Sequence, residues 1–267
     1  MAAVVAAMLM SIGCAKKHEI SLSTAASSDH DPNGRDALYL LGQPYLVNGE
    51  PFSGILLGRD GTRLLFRARM RDGHIHGLEE WFHDNGRLQR RERVERDALG
   101  IERHIGNTET WCANGKRHSL IEYGKQGMRQ LQTTWSCETG KPIAESRFDD
   151  TGRIDGRQRK WTAKGILLEQ ASWRDGVPHG DTDRWTPEGA LVEHLHYREG
   201  KLQGLQFAWY PDGSLASRGE YADGVPVGRH EAWAEDGQLL VAGNYTADGT
   251  RTGPWLGSWG EGGGAGK

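Results

Sequence analysis

Apolar residues are scarce in this chain, 36% of 267, while glycine is abundant at 38. That balance excludes a thick globular core and favours a quasi-one-dimensional array, in which neighbouring units share a thin one. No apolar run is long enough to cross a bilayer as a helix; residues 1–14 are apolar but too short. Catalytic signatures are missing as well. No Ser-His-Asp order, phosphate-binding loop or paired catalytic carboxylate stands out, and the many Asp residues sit in turn contexts that explain them. His194 and His196 share a strand face, a spacing suited to a metal, but sequence fixes no third ligand nearby. The chain is therefore read as not an enzyme, with no cofactor and no metal. Phenylalanine is also rare, five against ten Trp, and that inversion is the first sign of what is present.

What is present is a repeat. A turn glycine recurs at Gly61, Gly86, Gly115, Gly140, Gly165, Gly189, Gly213 and Gly237, with spacings of 25, 29, 25, 25, 24, 24 and 24. Four or five residues earlier stand Trp81, Trp111, Trp135, Trp161, Trp185, Trp209 and Trp233, with Leu57 in the first unit. Two residues later come leucines, among them Leu191, Leu215 and Leu239. Eight later come aromatics, among them Tyr197, Tyr221 and Tyr245. Each unit closes on Asp-Gly or a similar pair, often with a further glycine four residues on.

Tyr210-Pro-Asp-Gly-Ser214 shows the chemistry of the unit. Proline presets the first corner, Asp212 suits the second, and Gly213 is free to take positive φ, which gives a three-residue loop with a glycine bulge. Pairing Tyr210 with Ser214 sets Trp209 opposite Leu215. Alternation then places Leu215, Ser217, Gly219 and Tyr221 on one side. Each unit reads as strand, tight turn, strand, looser glycine-rich turn. The tryptophan stripe could be an aromatic cage for a cation, but its periodic placement points to packing. These Trp, Leu and Tyr residues are therefore the expected repeat core.

Other stretches depart from the rhythm. Ser11-Ile12-Gly13-Cys14 resembles a bacterial lipobox, so residues 1–13 read as a lipoprotein-type signal peptide and Cys14 as the lipidated residue. Ser11 where Leu is usual, and no Lys or Arg before the run, depart from that pattern. Residues 14–37 are polar and aperiodic, a flexible tether, and Ala15 resembles the outer-membrane sorting class. Residues 38–259 form the repeat domain, and 260–267 a disordered tail. Arg87–Gly106 is too long and highly charged, read as a solvated strand with a bulge. Thr252–Trp259 reads as a cap. Cys112 and Cys137 occupy equivalent turns about 9.6 Å apart, outside ordinary disulfide reach, although an oxidising compartment favours pairing.

Trp-x-x-x-Gly-x-Leu, then an aromatic, then Asp-Gly-x-x-x-Gly, resembles the variant MORN repeat over about residues 49–255. His76-Gly77 and His179-Gly180 match that family's closing turn. The resemblance implies an all-β, elongated, single-layer antiparallel meander of about eight tandem hairpin repeats. It also brings in the YwqK-type antitoxin group, bacterial proteins of this repeat linked to secreted toxins. Phe148-Asp-Asp-Thr-Gly-Arg153 is more weakly similar to YD repeats, which lack the recurring Trp.

Charge completes the reading. Residues 59–180 hold 23 basic and 18 acidic side chains, and residues 181–249 hold 5 and 12. Arg67, Arg69 and Arg71 alternate with Phe66, Ala68 and Met70. Together with Arg90, Arg91 and Arg93 they are candidate partner-binding residues. The expected function is a lipid-anchored protein at the periplasmic face of the outer membrane, or alternatively a secreted one. It binds a protein partner, such as a secreted toxin, and no nucleic acid. The competing reading is a membrane-associated scaffold that assembles as a homo-oligomer through its own repeats.

Overall fold

A computed structural model describes residues 17–21, 44–96 and 101–257. The expected signal segment, Cys14 and the tail lie outside the described residues. Strands, turns and bends account for the described chain, with no helix. It divides into two compact units at Ile105/Gly106, a boundary inside the expected repeat domain of 38–259. The division falls within the interval whose repeat spacing is 29.

The first unit contains β1 (Lys17–Ser21), β2 (Leu46–Val47), β3 (Glu50–Pro51), β4 (Gly54–Asp60), β5 (Arg63–Arg71), β6 (His74–Phe82), β7 (Leu88–Arg96) and β8 (Glu102–His104). Strands β4 to β8 pair antiparallel in chain order. Strand β1 pairs parallel with β4, Lys17 beside Ile55 and Ser21 beside Arg59, so part of the expected tether belongs to the sheet. An added strand is one remedy for an exposed sheet edge.

One face of this sheet is covered. Tyr45 donates its backbone N–H to the Gly73 carbonyl at 2.7 Å, and Gly73 donates to Phe52 at 2.9 Å, which holds the β2–β3 hairpin in place. Beneath lies the core of Phe52, Leu56, Phe66, Ala68, Met70, Ile75, Trp81 and Val94, with Tyr45 and Val47 against it. Each large side chain buried there contributes about 1.5–3 kcal/mol. The charged stretch after Arg87 is thus two-faced and not merely solvated: β7 buries Glu92 and Val94 and exposes Arg91 and Arg93.

The second unit is one open antiparallel meander. It runs through β9 (Asn107–Trp111), β10 (Arg117–Tyr123), β11 (Arg129–Trp135), β12 (Pro142–Phe148), β13 (Ile154–Trp161), β14 (Leu167–Arg174) and β15 (Val177–Trp185). It continues through β16 (Leu191–Arg198), β17 (Lys201–Leu202), β18 (Gly204–Trp209), β19 (Leu215–Ala222), β20 (Val225–Trp233), β21 (Leu239–Tyr245) and β22 (Arg251–Gly257). Strands β17 and β18 are one strand interrupted at Gln203, since both pair with β16. The expected cap is in part the last strand, β22, paired antiparallel with β21 through a register shift between Ala242 and Asn244.

The tight turn forms as its residues require. Tyr210 N–H donates to the Ser214 carbonyl, Gly213 N–H to the Tyr210 carbonyl, both at 2.9 Å, and Trp209 pairs with Leu215. Gly213 has φ +89°, the left-handed value for which glycine is suited. The closing turn corrects the expectation of a looser connection. Ala222 pairs directly with Val225 across Asp223-Gly224, whose φ values of 49° and 85° define a two-residue type I′ turn. Closing turns with one more residue, such as Asp149–Arg153, take the three-residue form.

The expected single ladder of Trp, Leu and Tyr is split between the two faces. Pairing registers shift by a residue at Trp161, Trp185, Trp209 and Trp233. Trp209 stacks on Phe207 at 5.6 Å, and Arg218, the cross-strand partner of Phe207, lies over Trp233 at 5.8 Å. Opposite to Arg218 along β19 are Gly219 and Tyr221. His230 lies over Gly219, with Tyr221 at 5.2 Å and Tyr245 at 4.9 Å. Nothing in the described part of this unit covers either face with a second layer. Its repeat residues Trp111 to Trp233, Leu191, Leu215, Tyr197, Tyr221 and Tyr245 are consequently half-buried, and Leu239 is exposed.

Trp81 differs because Phe82 takes the turn position, pairing with Leu88 as Trp209 does with Leu215. Trp81 is thereby released into the core against Phe66, ring centroids 5.1 Å apart.

Candidate functional site

The outer face of the first unit is built by alternation. Phe66, Ala68 and Met70 of β5 point to the covered core, so Arg67, Arg69 and Arg71 point away from it. On β6, Leu78 and Glu80 share that outer face, and on β7, Arg91 and Arg93 do. Arg67 pairs across with Glu80, Glu80 with Arg91, and Leu78 with Arg93. Arg90 is the exception among the candidate residues. It sits beside Trp81 on the core side, bound to the buried Glu92 carboxylate at 2.6 Å.

Glu80 organises this face and carried no periodic signal in the sequence; only the register reveals it. Its side chain is 2% exposed between two arginines about half exposed. Arg67 Nε donates to Oε2 at 2.8 Å, and Arg91 Nε to Oε1 at 3.0 Å. One carboxylate thus holds two guanidinium planes in fixed orientation. Arg69, Arg71 and Arg93 form no ion pair among the described residues. Leu78, 42% exposed, lies among them. The result is an apolar spot ringed by oriented and unengaged guanidinium groups, suited to carboxylates of an opposing surface.

The second unit repeats the carboxylate-between-cations arrangement. Glu231 accepts from Arg218 at 2.6 Å and Arg229 at 2.7 Å. Burial pushes its carboxyl up, but those two arginines outweigh it and leave the pKa lowered. Here the cations are spent internally. His194 and His196 each hold an Asp through Nδ1, Asp183 and Asp181 respectively, both at 2.6 Å. They belong to no cluster of three metal-binding side chains among the described residues.

Cys112 and Cys137 form a disulfide with Cα atoms 5.7 Å apart, where the flat-sheet estimate was about 9.6 Å. The reason lies in the turns. Asn114 Nδ2 donates to the Cys137 carbonyl at 2.7 Å and Lys116 Nζ to that of Glu138, drawing successive turn tips together beyond the ends of the strands. The same contact recurs one unit on, from Thr139 to Ala163 and Lys141 to Lys164.

These features define an all-β hairpin-repeat protein with one strongly cationic face. The profile of the MORN repeat variant matches residues 75–93 and 202–223, each spanning a turn glycine and its flanking strands. Repeats of this variant commonly mediate protein or membrane binding. No curated protein matches the chain. Similar solved structures include "Crystal Structure of TcdB2-TccC3-TEV", 12% identical with a TM-score of 0.15, covering 72% of this chain and 13% of that one. Another, "Crystal Structure of TcdB2-TccC3", is 11% identical with a TM-score of 0.13, covering 69% and 15%. The chain thus spans only a small part of either.

Proposed function

We propose that this is a non-enzymatic protein-binding repeat protein, lipid-anchored through Cys14 at the periplasmic face of the outer membrane. In this reading it neutralises a secreted toxin as an immunity factor of the YwqK antitoxin kind. The observation that supports it is the outer face of the first unit, where Arg69, Arg71 and Arg93 are unengaged around exposed Leu78. Guanidinium groups without internal carboxylates favour an acidic surface and speed its encounter. The partner is therefore a protein presenting Asp or Glu around an apolar contact.

The test is co-purification with the secreted product of a neighbouring gene. Arg69→Glu with Arg93→Glu should weaken the complex about 10–100-fold, ~1.4–2.8 kcal/mol, through like-charge repulsion. No complex between the purified wild-type pair overturns the immunity reading. Binding to anionic vesicles lost in the same variant would assign the face to membrane instead, and concentration-dependent self-association without a partner would favour the scaffold. For the anchor, palmitate labelling should mark the wild type and spare Cys14→Ala; equal labelling refutes lipidation there.

A further inference from the structure

The disulfide corner of the second unit contains a third group. His118 is the bulge residue of β10 and lies next to Cys137, its Nδ1 3.6 Å from the Cys137 sulfur and 3.2 Å from the Trp135 carbonyl oxygen. One donor atom each from Cys112, His118 and Cys137 lies within 4.8 Å of the other two. Two sulfurs and an imidazole nitrogen in this arrangement are the donor set preferred by Zn2+.

We propose that reducing the Cys112–Cys137 bond exposes a Zn2+ site formed by Cys112, His118 and Cys137. The disulfide is then a lock on the site. A dithiol reductant opens it: the bridge takes up two electrons and two protons, the S–S bond breaks, and the dithiol closes to its own disulfide. Zn2+ binding then displaces both thiol protons to solvent, because only thiolates ligate the metal, and a ligating His118 Nδ1 gives up its bond to the Trp135 carbonyl, the ring proton passing to Nε2.

Several observations support this chemistry. Cys137 is exposed and Cys112 buried, so an incoming thiolate has one accessible sulfur to attack. Tetrahedral ligation with Zn–S near 2.3 Å and Zn–N near 2.1 Å sets donors about 3.6–3.8 Å apart. His118 Nδ1, 3.6 Å from the Cys137 sulfur, already stands at that spacing, and the two sulfurs separate once their bond is broken. The turn-tip bonds from Asn114 and Lys116 to the Cys137 segment involve no sulfur atom, and the next pair of turns makes the same contacts without a disulfide, so they are expected to hold both cysteines at the corner after reduction. Lys116 and Arg117, the latter paired with Glu109 at 2.8 Å, precede His118 in sequence and line a cleft with Trp135, Thr139 and Gly140, and nearby cations favour thiolates. Three protein ligands leave a fourth position for water or a small anion. None of this depends on partner binding by the first unit.

The full chain, oxidised or reduced with a phosphine under argon, is titrated with Zn2+ against a chromophoric chelator, with Co2+ as the spectroscopic probe. The reduced chain should bind one equivalent and show a thiolate-to-cobalt charge-transfer band, and the oxidised chain should show neither. His118→Ala, which keeps both cysteines, should lose at least the ~10–100-fold in affinity that removing even an outer-shell partner costs. Cys137→Ser should abolish the band. Circular dichroism accompanies each titration. Equal binding by the oxidised chain, unchanged affinity in His118→Ala, no uptake by a folded reduced chain, or unfolding on reduction would each overturn the proposal.

Discussion

Single residues show where backbone and side chain divide the work. Gly58 carries no positive φ, yet a Cβ there would stand 2.0 Å from the Phe66 ring, which lies across it from the neighbouring strand. Gly58→Ala should therefore displace Phe66 from the core and destabilise the first unit by about 1–3 kcal/mol, read from a denaturant melt. An unshifted midpoint would mean that the ring does not depend on that gap. Asp149 caps its turn in another way. The Thr151 hydroxyl, then the Arg153 and Thr151 backbone amides, hold its carboxyl down at about 2 from an ordinary 3.8. A depressed folded pKa gives a contribution that is complete above 3.8 and lost as pH falls toward about 2. A carboxyl 13C titration of Asp149 should show its midpoint near pH 2; a midpoint near 3.8 would show these bonds absent in solution.

At the scale of the element, the hairpin is the unit and the turn decides its register. Trp209 opposite Leu215 was legible because Pro211, Asp212 and Gly213 each have one turn role. The split between tryptophan and tyrosine faces was not legible. It arises from a one-residue shift in pairing, and a one-residue shift reverses a strand's facing. The disulfide was hidden for a similar reason: 5.7 Å between Cα atoms depends on how adjacent turns stack, which spacing along the chain does not encode. Closing a loop with a sequence separation of 25 restricts the unfolded chain by about 3.5 kcal/mol. Cys137→Ser should accordingly lower the stability of the second unit by ~2–4 kcal/mol and loosen amide protection locally around β9 to β12. Protection lost evenly across β9 to β22 would instead show that the unit opens as a whole.

For the whole molecule, the balance of charge matters more than its sum. Residues 59–180 carry the basic excess and residues 181–249 the acidic one, as the sequence states. Which of those charges are available is a matter of tertiary structure. Arg90 is consumed by Glu92, and Arg67 and Arg91 share Glu80, while Arg69, Arg71 and Arg93 face outward unengaged. If that face binds an acidic partner, affinity should fall steeply between low salt and about 1 M, where the screening length shrinks to about 3 Å. Salt-independent affinity by titration calorimetry would place the contact elsewhere. By itself the sequence determined the period, the turn chemistry and the all-β meander, because glycine, proline and aspartate act locally and recur every 24–25 residues outside the one interval of 29. Only the tertiary structure decided that β2–β3 covers the first unit and leaves the second uncovered, which aromatics pack and which stay half-buried, and that Cys112 meets Cys137. Those outcomes depend on contacts between segments far apart in the chain, and no local pattern specifies them.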